Sequence, residues 1–187
     1  MNKQEILAAA RDGYTEWLAV VKRVPEDKMT EPGAAGHWTV KDVIAHIASG
    51  HRWLAAQLDA AAHRQLPTAA ECFGQDDPPP PDVGIADNQD RNDWNYQRYR
   101  DWSLDAVLQE ARFTYDWLLQ QIEALPDPAF DAIYTIAEYD NINHVRPAAE
   151  DDEFRFPLWR LLYNGTAEHY PAHIRDLNDW LDRESDR

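Results

Sequence analysis

The sequence predicts an all-α fold, an antiparallel four-helix bundle with two long loops. Three observations predict it. Apolar residues recur at spacings of three and four along four separate stretches. Capping residues open these stretches, and prolines close two of them. Strand signals are sparse, since only Ala132 to Ile136 looks capable of extension. At 187 residues the chain is most simply one domain, 1–187, long enough to bury a sizeable core.

The first helix carries Ile6, Leu7, Ala10, Tyr14, Trp17, Leu18 and Val21 on one stripe. Asn2 and Glu5 have the spacing of a capping box, and Val24-Pro25 ends the pattern. The second helix runs from about Thr39 to Arg64. Thr39 is its N-cap, Asp42 the reciprocal partner, and Trp38 with Val43 the hydrophobic staple. Its stripe is Val40, Val43, Ile44, Ile47, Leu54, Ala55 and Leu58.

The third helical region extends from about Asp87 to Leu125, as one helix or as two with Ser103 capping the second. Pro126 ends it. The fourth starts near Pro157, an acceptable first-turn residue, and reaches Leu181. The loop from Gln65 to Ala86 contains Pro78-Pro79-Pro80-Pro81, a stiff surface spacer. The loop from Pro126 to Phe156 is acidic, and loops of that length are commonly functional. It is the better of the two for covering a site.

Composition narrows the function classes. The formal net charge of −16 argues against nucleic-acid backbones and anionic membrane surfaces as partners, and its simplest role is solubility. One cysteine, Cys72, in a loop without an activating base, permits no intramolecular disulfide and suits a reducing compartment. The polar, amphipathic N-terminus has no signal core, and no apolar run nears the roughly 20 residues that span a bilayer. The expectation is a soluble, cytoplasmic protein. Eight tryptophans and eight tyrosines pack a core or line an organic-ligand pocket.

The chemistry concentrates in the run EHYPAHIRDLNDWL, where His169 and His173 stand four apart. On a helix that spacing puts side chains on one face, with Cβ atoms roughly 5–6 Å apart. Turned at about 100° per residue, Leu158, Leu162, Gly165, His169, His173 and Trp180 share one inward arc, with Leu177 at its border. Two inward imidazoles bring nitrogens that need partners, and a metal ion supplies one. Asp176 lies on the same arc, where a carboxylate can fix an imidazole tautomer from outside the ligand shell.

The third ligand is His46 or His51. Periodicity puts His51 near the centre of the second helix's stripe and His46 at its edge. His37 precedes that helix, and His63 and His144 are expected in solvent. Pro171, between the paired histidines, either ends the helix at Tyr170 or kinks it. The apolar pattern continues in phase through Ile174, Leu177 and Leu181, which favours a kinked but continuous helix. The zinc-protease pattern H-E-x-x-H, the nucleophile elbow, the Walker loop and the dinucleotide fingerprint are all missing.

At these residues the chain resembles the DinB-like superfamily of four-helix-bundle proteins. One anchor is HWTVKDVIAHI, holding Trp38, Thr39, Asp42 and His46; the other is HYPAHI, holding His169 and His173. The resemblance implies a divalent metal, zinc or nickel, on His46, His169 and His173, and so chooses His46 over His51. It implies a hydrolase or a transferase of low-molecular-weight thiols acting on a small organic substrate. The acidic, Trp-rich chain also resembles a neighbouring branch, the colibactin self-resistance type, whose members commonly lack the triad. That branch implies hydrolysis of a strained electrophile; the alternative to an enzyme is a non-enzymatic small-molecule binding or self-resistance protein with an aromatic pocket. Tyr170, Trp94 and Asn95 are candidates to line the pocket, and a homodimer is compatible with every reading.

Overall fold

A computed structural model describes residues 1–75, 88–139 and 142–185. The tetraproline at 78–81 and the expected helix start at Asp87 lie outside the described residues. Helix α1 spans Lys3–Val21, and the Asn2/Glu5 capping box forms, with Glu5 N–H donating to Asn2 Oδ1 at 3.0 Å. A hairpin of β1 (Pro32–Ala35) and β2 (Trp38–Thr39) follows, turned through Gly36 at φ +62, a value that favours glycine.

Helix α2 (Val40–Ala62) starts directly from β2. Thr39 N–H donates to Asp42 Oδ2 at 2.9 Å, and Asp42 N–H donates to Thr39 Oγ1 at 3.1 Å. Because Thr39 closes a strand and caps a helix, the hairpin fixes where Trp38 stands relative to the first turns of α2. Short α3 (Ala69–Phe73) follows, with its own Thr68/Glu71 capping box and Gly74 in the left-handed region at its end.

The third region is two helices, α4 (Asn88–Tyr99) and α5 (Leu104–Ala124), with the Ser103 side chain accepting from Ala106 N–H. Buried Lys41 on α2 donates to the carbonyls of Arg100 and Trp102, pinning the α4–α5 turn.

The expectation of a strictly all-α, four-helix molecule needs correction. The chain is predominantly helical, but it carries a second sheet ordered β4-β3-β5, from β3 (Ile133–Tyr139), β4 (Ile142–Pro147) and β5 (Phe156–Pro157). The run Ala132–Ile136 signals only part of one of these strands. The β3–β4 hairpin docks on α2 through Gln57, whose Nε2 donates to Asn143 O and whose Oε1 accepts from Val145 N–H, both at 2.9 Å. A side-chain amide thus satisfies strand groups as a neighbouring strand would.

The hairpin meets α2 at Trp53 and Gln57, about two and three turns beyond residue 46, so these contacts of its described residues fall away from the candidate site that this loop was expected to cover. Cys72, expected in a loop, is fully buried on α3 beside Gln57, and burial pushes its thiol up to about 12. His144, expected in solvent, is buried on β4, because an inward position on a strand leaves no trace in a helical period.

The fourth region also divides, into α6 (Leu158–Gly165) and α7 (Tyr170–Ser185). The expected kinked, continuous helix is not formed. The chain leaves helical geometry at Thr166, with φ −124 and ψ −93, and its Oγ1 donates back to Leu162 O at 2.7 Å. Pro171 is the second residue of α7, where a missing N–H breaks no helical hydrogen bond. So proline starts the last helix instead of bending it.

Among the described residues three apolar clusters fill the interior, the smallest around Ala56, Cys72, Phe73 and Ile142, and the two larger ones position the last helices. One gathers Ile6, Leu54, Leu58, Leu118, Ile122, Leu158 and Leu162; the other gathers Trp17, Val43, Ile47, Tyr170, Leu177 and Trp180. The α6–α7 break falls between them, so each helix serves its own cluster.

Candidate metal centre

Three histidines meet on the second cluster. His46 comes from α2, His169 from the turn before α7, and His173 from the first turn of α7. His169 Nε2 lies 3.1 Å from His46 Nε2 and 3.2 Å from His173 Nε2. The ring centroids form a nearly equilateral triangle with sides of 5.0, 5.2 and 4.9 Å. One nitrogen from each ring lies within 4.8 Å of the others, an arrangement that can hold a metal ion.

The electrostatics agree. Burial is the main force holding His46 down to about 3 and His169 down to about 4, with neighbouring imidazoles adding to it. Burial lowers His173 as well. All three are therefore neutral near pH 7, with lone pairs free to ligate.

The spacing suits a metal. Two nitrogens bound tetrahedrally at about 2.0–2.1 Å stand about 3.3–3.4 Å apart, so the two pairs that share His169 need to open by only a few tenths of an ångström. His46 Nδ1 and His173 Nδ1 are buried without a hydrogen-bond partner. Asp176 Oδ2 is 3.9 Å from His173 Nδ1, on the side expected for an orienting carboxylate but beyond hydrogen-bond reach.

His51 does not join the triad. It is buried, as its place on the stripe predicts, and its Nε2 lies 2.9 Å from the Tyr170 hydroxyl. His63 is exposed, and His37 is exposed with its ring edge-on to Tyr96 at 5.3 Å. The residues expected to line a pocket are engaged in packing and hydrogen bonds of their own. Tyr170 is wholly buried, Trp94 packs edge-on against Phe73, and Asn95 accepts from Arg98.

The aromatic rings beside the triad are different ones. Trp38 is 5.3 Å from the His46 ring, Trp17 is 6.5 Å from the His173 ring, and Tyr96 lies nearly parallel to Trp38 at 6.3 Å. Trp38 was legible in the sequence as a staple and as part of the HWTVKDVIAHI anchor, though not as a neighbour of the triad; Tyr96 carried no signal of its own beyond marking a helix.

The model of the DinB superfamily matches residues 9–149, about three-quarters of the chain, including His46 and its Trp38–Thr39–Asp42 approach. The chain belongs to the DinB superfamily. The match ends before His169, so the meeting of that pair with His46 is a separate observation. No curated protein matches the chain.

Solved structures share the DinB fold at low identity. An uncharacterised protein from Escherichia coli UTI89 aligns with TM-score 0.73 and 14% identity over 98% of this chain and 95% of its own. The colibactin self-resistance protein ClbS, crystallised with a dsDNA, aligns with TM-score 0.70 and 13% identity over 97% and 96%. DfsB, described as a sibling lethal factor precursor, aligns with TM-score 0.68 and 14% identity over 98% and 97%.

The ClbS complex overturns the exclusion of nucleic acid drawn from net charge. A net charge of −16 is a sum over the whole surface, and a protein of this fold forms a complex with dsDNA. Among the described residues no helix is long and apolar enough to cross a membrane.

Proposed function

We propose that this DinB-superfamily protein is a metal-dependent enzyme, with a divalent ion, zinc or nickel, held by His46, His169 and His173. The reaction class is hydrolysis of, or transfer of a low-molecular-weight thiol to, a small organic substrate. The observation that carries the reading is the convergence of three imidazole nitrogens from two separate parts of the chain. Three protein ligands leave a coordination position for substrate, as in catalytic sites.

A divalent ion there would supply Lewis acidity, lowering the pKa of a bound water or thiol. The chain's own residues do the rest. Burial keeps the imidazoles unprotonated, so protons do not compete for their lone pairs at neutral pH. Trp38 and Tyr96, both half-buried and parallel, offer flat apolar faces to the organic part of a substrate. Asp176, with a small side-chain movement, accepts the His173 Nδ1 proton and sets that ring's tautomer.

The test is to strip metal from the protein, restore zinc or nickel, and screen ester, amide and epoxide hydrolysis and thiol transfer beside His173→Ala. Activity that returns with metal in the wild type and not in the variant supports the reading. Activity unaffected by stripping contradicts it.

A second reading takes support from the likeness to ClbS and DfsB: a binding or self-resistance protein that holds a small molecule between its aromatic residues. Ligand affinity unchanged by metal removal but lost in Trp38→Ala favours it.

A further inference from the structure

We propose that the hydrogen bond between the Tyr170 hydroxyl and His51 Nε2 is a positioning device that locks together the two elements carrying the metal-ligand histidines, and thereby sets metal affinity. The inference rests on the metal reading above and extends it to two residues outside the triad.

Connectivity is the first argument. Tyr170 directly follows His169, and His51 lies five residues beyond His46 on α2. Their 2.9 Å bond therefore ties the segment delivering one ligand to the helix delivering another. That segment needs a tie, because it is not helical. Its own bonds, Glu168 N–H to Tyr163 O, His169 N–H to Thr166 O and Thr166 Oγ1 to Leu162 O, shape the turn but do not reach α2.

The surroundings hold both partners in place. A Cβ on Gly13 would come within 2.8 Å of Tyr170 Cδ2 and 3.5 Å of Ala167 Cα. Only a glycine there lets α1 back directly onto the Tyr170 ring. On the other side Tyr14 and Tyr115 stack with centroids 3.6 Å apart, and stand 6.1 and 5.7 Å from the His51 ring. The histidine is walled in by three tyrosines.

The choice of residue is the last argument. His51 and Tyr170 are 1% and 0% exposed, and His51 Nδ1 has no hydrogen-bond partner. Apolar residues would fill this space without burying polar atoms. What the pair adds over an apolar pair is a fixed direction and length, to which a metal site with bond lengths set within tenths of an ångström is sensitive.

The experiment is a zinc titration of tag-free protein against a chromophoric chelator, comparing wild type, Tyr170→Phe, His51→Leu and the double variant. Tyr170→Phe keeps the ring in its notch and removes only the hydroxyl. The expected result is a loss of zinc affinity of about 10-fold or more in each single variant. The double variant should be no weaker than the weaker single, with helical circular dichroism unchanged. Equal affinity in wild type and Tyr170→Phe overturns the proposal. If Tyr170→Phe does not fold, His51→Leu carries the same comparison. If the wild type takes up neither zinc nor nickel, the metal reading fails by itself. The positioning is then read in the metal-free protein from the His169 side-chain 15N resonances: a shift in Tyr170→Phe upholds it, and unchanged resonances overturn it.

Discussion

His46 Nε2 lies 3.1 Å from His169 Nε2, although 123 residues separate them in the chain. Neither is charged near pH 7, because burial and the neighbouring ring hold both imidazoles far below their usual range. Converging lone pairs repel unless a proton or a cation sits between them.

Stability of the metal-free protein should rise with pH between about 4 and 6.5. His46 and His51 are held at about 3 and His169 at about 4, against an unfolded value near 6.5. Below 6.5 the unfolded chain takes up protons that the folded chain refuses, so folding weakens as pH falls and the loss levels off near the folded values. Each such histidine contributes a slope of at most about 1.4 kcal/mol per pH unit in that window. Urea unfolding at pH 5, 6 and 7 measures it; a flat profile from 5 to 6.5 would show that the imidazoles are not held neutral.

Removing a triad histidine should remove the metal without unfolding the protein. His46→Ala deletes a partly buried ring whose Nδ1 has no partner, while Val43, Ile44 and Ile47 keep α2 in the core. Circular dichroism should remain helical while bound metal falls to background. Collapse of the helical signal would make the site a structural one.

Gln57→Leu should destabilise the fold by about 1–3 kcal/mol, because Val145 N–H loses its acceptor in a partly buried setting. Asn143 O retains the Trp53 indole as donor, which limits the damage. Denaturant unfolding checks the size, and the triad should bind metal as before. A change below about 0.3 kcal/mol would mean that the hairpin is not anchored through this amide.

Trp38→Ala should weaken binding of an organic substrate or analogue by about 10-fold or more while leaving metal stoichiometry intact. The ring stands 5.3 Å from the His46 ring but offers no ligand atom. Loss of metal in this variant would show that Trp38 supports the site and not the substrate.

Much of this arrangement was legible in the sequence where the signal is local. The Asn2/Glu5 and Thr39/Asp42 capping boxes form at the predicted residues, since three-residue spacing suffices to specify them. The stripe on α2 correctly buried His51, yet periodicity could not say that His46, at its edge, faces the paired histidines. What decides that is the break at Thr166, a tertiary compromise between two apolar clusters that no helical wheel contains. The β3–β4 hairpin was missed for a related reason. Its inward residues Ile142 and His144 make an alternation too short to stand out, and its main anchor is the side chain of Gln57, on a helix more than 80 residues earlier.

The most direct test of the metal reading is the metal content of protein purified without an affinity tag, beside His169→Ala. About one zinc or nickel per chain is expected in the wild type and none in the variant. Wild-type protein that carries no metal, and takes up neither zinc nor nickel when they are added, would contradict it.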